Sequence, residues 1–149
     1  MDSSPGLDVP SRPPTSIGSH ARASERSDGR VTAAISNAVV GIFRDYLGRG
    51  PTKARAFLRD NIVVVVLEDS LTKAEKVLVD QGQAEAMMQM RRAMQATMRE
   101  ALSGAVTQIT GRRVIAFMSD NHPDPDYAAE VFVLESAPQD GHSPQQGQP

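Results

Sequence analysis

The 149-residue sequence predicts an α+β domain of two layers, a four-stranded antiparallel sheet with helices, in the order α-β-β-α-α-β-β. Three observations predict it. Apolar residues recur at helical spacing in two separate stretches, near residues 31–46 and 87–109. Strand-like runs come as two adjacent pairs, within 53–67 and 114–134. Helices and strand pairs are segregated rather than strictly alternating, which favours hairpins over parallel crossovers.

In the first stretch Val31, Ile35, Val39, Ile42 and Tyr46 fall at intervals of three or four residues, with Asn37, Arg44 and Asp45 elsewhere on the helical wheel. Gly48, Arg49, Gly50 and Pro51 end that helix, because glycine accepts the left-handed cap conformation and proline cannot extend the hydrogen-bond ladder. Lys53–Arg59 alternates, with Ala54, Ala56 and Leu58 on one face and Lys53, Arg55, Phe57 and Arg59 on the other. Asp60 and Asn61 suit a tight turn. Ile62 to Leu67 is a β-branched run with no polar side chain, predicted as a central, covered strand.

Thr72, Lys73, Ala74 and Glu75 have the capping-box spacing, in which the threonine hydroxyl and the glutamate carboxylate each satisfy an unpaired amide at a helix start. After Gly82 a longer helix carries Met87, Met90, Met94, Met98, Ala101 or Leu102, Ala105 and Ile109, and Gly111 closes it. Val114–Met118 and Tyr127–Leu134 complete the sheet, separated by the polar run Ser119–Asp126. Residues 1–29 hold seven Ser, four Pro, three Gly and no aromatic, too little apolar surface to offset the entropy of ordering a backbone. They are predicted as a disordered tail; the lack of an apolar segment and the presence of four acids argue against a secretory signal or a transit peptide. Residues 136–149, rich in Pro and Gln, are predicted as a second disordered tail, leaving 30–135 as a single domain.

Composition excludes several classes of function. Sixteen basic and 18 acidic residues give a net charge of -2, and residues 30–135 hold 13 of each, so nothing favours nucleic acid as a partner. The absence of cysteine removes disulfides, thiol nucleophiles and thiolate metal sites. The longest unbroken apolar run, Ile62–Leu67, is far short of the ~20 residues of a membrane-spanning helix.

Few side chains suggest chemistry. Ser119, Asp120, Asn121, His122, Asp124 and Asp126 form a candidate ligand or interaction loop, since alternating oxygens in a loop can converge on one cation. A calcium loop would need a central glycine and a distal glutamate, where this chain has Pro125 and Val131, so a hairpin connection is the favoured reading and no metal or cofactor is expected. Gly48, Gly50 and Lys53 superficially resemble a phosphate loop, but they follow a helix instead of a strand. The methionine stripe reads as core packing, with Arg91, Arg92 and Arg99 off it as a candidate interaction surface. His20 and His142 lie in the tails, which leaves His122 as the domain's imidazole, with no serine elbow near it.

Taken together, Gly48-Arg49-Gly50-Pro51, the hairpin ending at Leu67, Leu71-Thr72-Lys73-Ala74-Glu75, the arginine-bearing long helix, Thr110-Gly111-Arg112-Arg113-Val114 and Ser119–Asp126 resemble the MpsC-like family of bacterial proteins. The resemblance covers residues 30–135. Family members share a Ser-x-Asn-His-x-Asp-Pro-Asp pattern, matched here by Ser119, Asn121, His122, Asp124, Pro125 and Asp126. The family takes its name from a sodium-translocating system that generates membrane potential. The resemblance therefore implies a non-catalytic cytoplasmic accessory or regulatory protein, peripheral to the inner face of the membrane, with transporter subunits as partners and no catalytic set. A small-ligand or metal-ion sensing module, built on the Asp120–Asp126 loop and Thr110–Arg113, is the alternative, and an enzyme ranks last. A homodimer is also expected, with its seam at the second hairpin or along the methionine helix, because a four-stranded sheet has two edges and Tyr127–Leu134 carries few charges to guard one of them.

Overall fold

A computed structural model describes residues 17–136, so the expectations for residues 1–16 and 137–149 lie outside the described residues. The element order is α1 (Ile17–Leu47), β1 (Lys53–Arg59), β2 (Ile62–Glu68), α2 (Lys73–Asp80), α3 (Ala84–Thr110), β3 (Val114–His122) and β4 (Tyr127–Leu134). The four strands form one antiparallel sheet in the order β1-β2-β4-β3, with α1 and α3 packed side by side on one face. The α+β architecture and the order of elements are those the sequence predicts.

The helix ends follow the local chemistry. Gly48 takes φ +81° and donates its amide to the Arg44 carbonyl at 2.9 Å, and Gly111 does the same at φ +68° towards Thr107. Gly50 is required by a close approach: a Cβ there would stand 3.0 Å from Val40. Pro51 beside it is buried. The capping box at α2 is complete, with Glu75 N–H donating to Thr72 Oγ1 at 3.2 Å and Thr72 N–H to Glu75 Oε1 at 2.8 Å.

Four expectations are corrected. Residues 17–29 continue α1 instead of belonging to a tail, and residues 20–30 are exposed throughout. Once the packed half of the helix is nucleated, each further residue adds one hydrogen bond without a new nucleation cost. The buried face of α1 is Ile35, Val39 and Phe43, whereas Tyr46 is 41% exposed. The strict four-residue step keeps Ile35, Val39 and Phe43 on one line, and Tyr46, three residues on, falls off it. The strand β2 is central but covered on one face only: Val63, Val65 and Leu67 are buried, and Ile62, Val64 and Val66 look away from the helices. The edge beside the second hairpin is β3, because β4 crosses back to pair with β2 along its whole length.

The core joins Ile35, Val39 and Phe43 to Val63, Val65 and Leu67, to Met98, Leu102 and Val106, and to Phe117, Ala128, Phe132 and Leu134. The rings of Phe117 and Phe132 meet at 5.1 Å between centroids in a tilted arrangement. Truncation of Phe43 to alanine is expected to cost about 3–5 kcal/mol of unfolding free energy, and of Tyr46 less than about 0.5 kcal/mol. Urea denaturation of the two variants checks which residue α1 buries.

Candidate functional site

The long helix places two polar residues in its buried stripe. Met87, Arg91, Gln95, Met98, Leu102 and Val106 are the side chains of α3 turned inward, at steps of four, four, three, four and four. Arg91 is 0% exposed, which withdraws it from the interaction surface expected with Arg92 and Arg99. Its Nε donates to Glu75 Oε2 at 2.6 Å, its Nη2 donates to Glu75 Oε1 at 3.0 Å and to the Ser70 carbonyl, and its guanidinium carbon lies 5.9 Å from the Phe43 ring centroid. Glu75 is thus both the capping-box acid of α2 and the counter-ion of α3. Burial alone would raise its carboxyl, but the hydrogen bonds from Arg91 and from the Thr72 amide outweigh burial and hold it below its ordinary value.

A second group adjoins this pair. Gln95 Nε2 donates to Asn121 Oδ1 at 3.2 Å and to Glu130 Oε1 at 3.4 Å, and Asn121 Nδ2 donates back to Gln95 Oε1 at 3.1 Å. Glu130 is fully enclosed on the inner face of β4, opposite Ser119 on β3. Burial pushes its carboxyl up to about 7, against the smaller opposing effects of the neighbouring Ser119 hydroxyl, the Arg91 charge and Gln95. The Ser119 hydroxyl lies near Glu130 without hydrogen-bond geometry, so Ser119 Oγ and Glu130 Oε2 are both buried and unpartnered. In front of them a cleft of about 320 Å³ opens between α3 and the β3 edge, bordered by Arg92, Arg99, Phe117 and Ser119. Arg99 stands 5.5 Å from the Phe117 ring centroid, and Arg92 reaches Glu85 at 3.6 Å on the surface.

The candidate loop is divided by the sheet. Ser119–His122 belong to β3, so the connection is only Pro123–Asp126. Strand alternation sends Ser119 and Asn121 inward to Gln95 and Glu130, and sends Asp120 and His122 to the opposite face. His122 Nδ1 donates to the Pro125 carbonyl at 2.8 Å, and Asp124 is exposed. Asp126 turns back, accepting from the Leu71 amide at 3.0 Å and from Ser70 Oγ at 3.5 Å. These oxygens therefore do not converge on one point, and no group of three or more His, Asp or Glu side chains placed to hold a metal occurs among the described residues. Nearby, Asp69 is held down to about 2, first by the hydrogen bond from Arg49 and then by that from Lys76, at 3.1 and 3.0 Å. That cluster pins the end of α1 to the β2–α2 connection.

Glu130, Gln95 and Ser70 are not singled out by reading motifs, and Arg49 enters there only as part of a helix-ending block. A signal for two of them exists in the pattern: Glu130 sits in phase with Ala128, Phe132 and Leu134 on β4, and Gln95 sits in phase with Met87 and Met98 on α3. Polar residues at apolar positions mark a buried polar cluster.

The family model for the Na+-translocating membrane potential-generating system (MpsC) matches residues 27–136. Over 113 residues, 74% of this chain and 90% of the other, the chain is 27% identical to "Uncharacterized protein YbcI" of Bacillus subtilis (strain 168). No solved structure matches significantly.

Two measurements test this cluster. Replacing Arg91 with methionine leaves the Glu75 carboxylate buried and unpaired, with an expected loss of about 3–5 kcal/mol; Arg91→Met combined with Glu75→Gln recovers part of it, since glutamine keeps the capping acceptor without the charge. For Glu130 the folded value of about 7 exceeds the ordinary 4.5, so between them the folded chain holds a proton that the unfolded chain has released. Its contribution to stability therefore falls as pH rises through that window and levels off above it, by about 3 kcal/mol in all. Glu130→Gln is expected to flatten this decline, as read from urea midpoints on both sides of the window.

Proposed function

The chain belongs to the MpsC family of the Na+-translocating membrane potential-generating system, and from that membership we propose that it is a non-catalytic accessory or regulatory protein that acts by protein contact beside such a system. In this reading it works in the cytoplasm, at the inner face of the membrane, with transporter subunits as its partners. No helix among the described residues is long and apolar enough to cross a membrane, which accords with a peripheral role.

The observation that carries the reading is the division of the ionisable groups. Arg91, Glu75 and Glu130 are enclosed, and their polar bonds join α2, α3 and the sheet. Arg92 and Arg99 stand outside, on the wall of an open cleft beside the apolar Phe117 and Met118. Exposed guanidinium groups bordering apolar surface suit recognition of an acidic protein segment.

Deleting the gene is expected to lower sodium-dependent membrane potential, and capture under mild detergent to recover a membrane transport subunit. Arg92→Glu with Arg99→Glu should weaken that capture by roughly tenfold, the sum of two modest surface contacts. Unchanged potential together with recovery of no membrane protein overturns the reading.

The unpartnered oxygens of Ser119 and Glu130 favour a second reading, a small-ligand or metal-ion sensing module. Calorimetric titration with sodium, magnesium or calcium separates the two. Heat that disappears in Glu130→Gln supports sensing, and its absence supports contact alone.

A further inference from the structure

The sheet face turned away from the helices is apolar at its centre and charged at its edges, and the strand register orders it into four rows. Across β1, β2, β4 and β3 these read Arg59-Ile62-Val133-Ala116, Phe57-Val64-Val131-Met118, Arg55-Val66-Ala129-Asp120 and Lys53-Glu68-Tyr127-His122. Phe57 is 54% exposed and Met118 53%, and Ile62 and Tyr127 are also exposed. The rows span ~14 Å across the strands and ~20 Å along them, a footprint of roughly 600 Å² once side chains overhang the edges. Ten of the sixteen positions are apolar, which puts the bare apolar area within the range of the largest patch that monomers expose, often a functional one, and the whole face approaches the ~800 Å² per partner of a standard interface.

We propose that this face is where two copies of the chain pair, sheet on sheet, about a twofold axis running parallel to the strands between β2 and β4. Charge selects both the occupant and the axis. The β1 edge presents Lys53, Arg55 and Arg59, only partly offset by Glu68, which lies 3.8 Å from Lys53 and from Arg55. The β3 edge presents Asp120. A twofold axis across the strands would stack β1 on β1 and oppose three basic side chains to the same three. An axis along the strands exchanges the edges and keeps the rows. Arg55 then faces Asp120 of the second copy, Phe57 faces Met118, Val64 faces Val131 and Ile62 faces Val133, each contact occurring twice. Aligned sheets cross at about 30°, which displaces Arg55 from Asp120 by only ~4 Å at that distance from the axis, within reach of an arginine.

This placement differs from the seams expected from the sequence. Of the predicted methionine stripe, Met87 and Met98 are enclosed in the domain's own core, whereas Met90 is 43% exposed and Met94 half-buried, so α3 offers a narrower apolar surface than the sheet face does. The second hairpin takes part through the face of β4 and β3, not through a free edge.

Light scattering on the full chain, from micromolar to sub-millimolar concentration, is expected to give the mass of a dimer. Phe57→Glu, Arg55→Glu and Asp120→Arg should each weaken dimerisation at least tenfold, and Arg55→Glu with Asp120→Arg should restore it. Both charged positions are on the surface, so the charge variants keep the fold, which circular dichroism verifies, and they decide the matter even where Phe57→Glu does not fold. A monomer at every concentration overturns the proposal. So does a dimer that survives all the face variants and is lost in Ile115→Pro, which would place the seam at the β3 edge. Failure of the double charge exchange to rescue the single variants overturns the strand-parallel axis.

Discussion

The ion pair between Glu75 and Arg91 is the constraint on which the arrangement of this domain depends. An eight-residue helix such as α2 is too short to be stable alone, and it holds its place because its first turn is tied to other elements. One carboxylate caps the helix through its own backbone, pairs with α3 and, through Arg91, is linked to the Ser70 carbonyl. Two charges enclosed in this way cost several kcal/mol each in lost hydration, so the pair persists only because nearly every donor and acceptor around it is met. That requirement sets the depth of α3 against the sheet and brings Gln95 to Asn121 and Glu130.

Glu130 follows from the same geometry. A carboxyl group at an inward position of a central strand faces helix α3 and, among the described residues, bonds to Gln95 through one oxygen and leaves the other unpartnered. The neutral form is the one that such a site accommodates, which is why its ionisation moves towards neutrality. The domain therefore holds one carboxylate strongly ionised and another poised near physiological pH within the same enclosed cluster. The cleft beside α3 places that second group directly behind the surface where Arg92 and Arg99 stand. The exposed guanidinium groups and the enclosed carboxyl are thus neighbours in space, while the opposite face of the sheet carries the apolar surface that the helices leave uncovered.

Local periodicity determined much of this protein by itself. The alternation of Lys53–Arg59, the limits of Tyr127–Leu134, the capping box at Thr72 and the glycine caps at Gly48 and Gly111 are all present in the structure, because each depends on residues a few positions apart. The family was legible for a related reason: its blocks keep a fixed order and spacing along the chain. Tertiary structure alone decided the rest. Arg91 reads as a surface charge until Glu75, 16 residues away, is brought against it, and Gln95 gains its purpose from partners 26 and 35 residues distant. Likewise Ser119–His122 read as loop because their polarity was weighed without the partner strand, and Ile62–Leu67 read as covered because a run of β-branched residues does not say how many layers the fold supplies. Whether a polar group is enclosed, and whether an apolar one is left bare, depends on which distant element packs over it, and no spacing within a single segment encodes that.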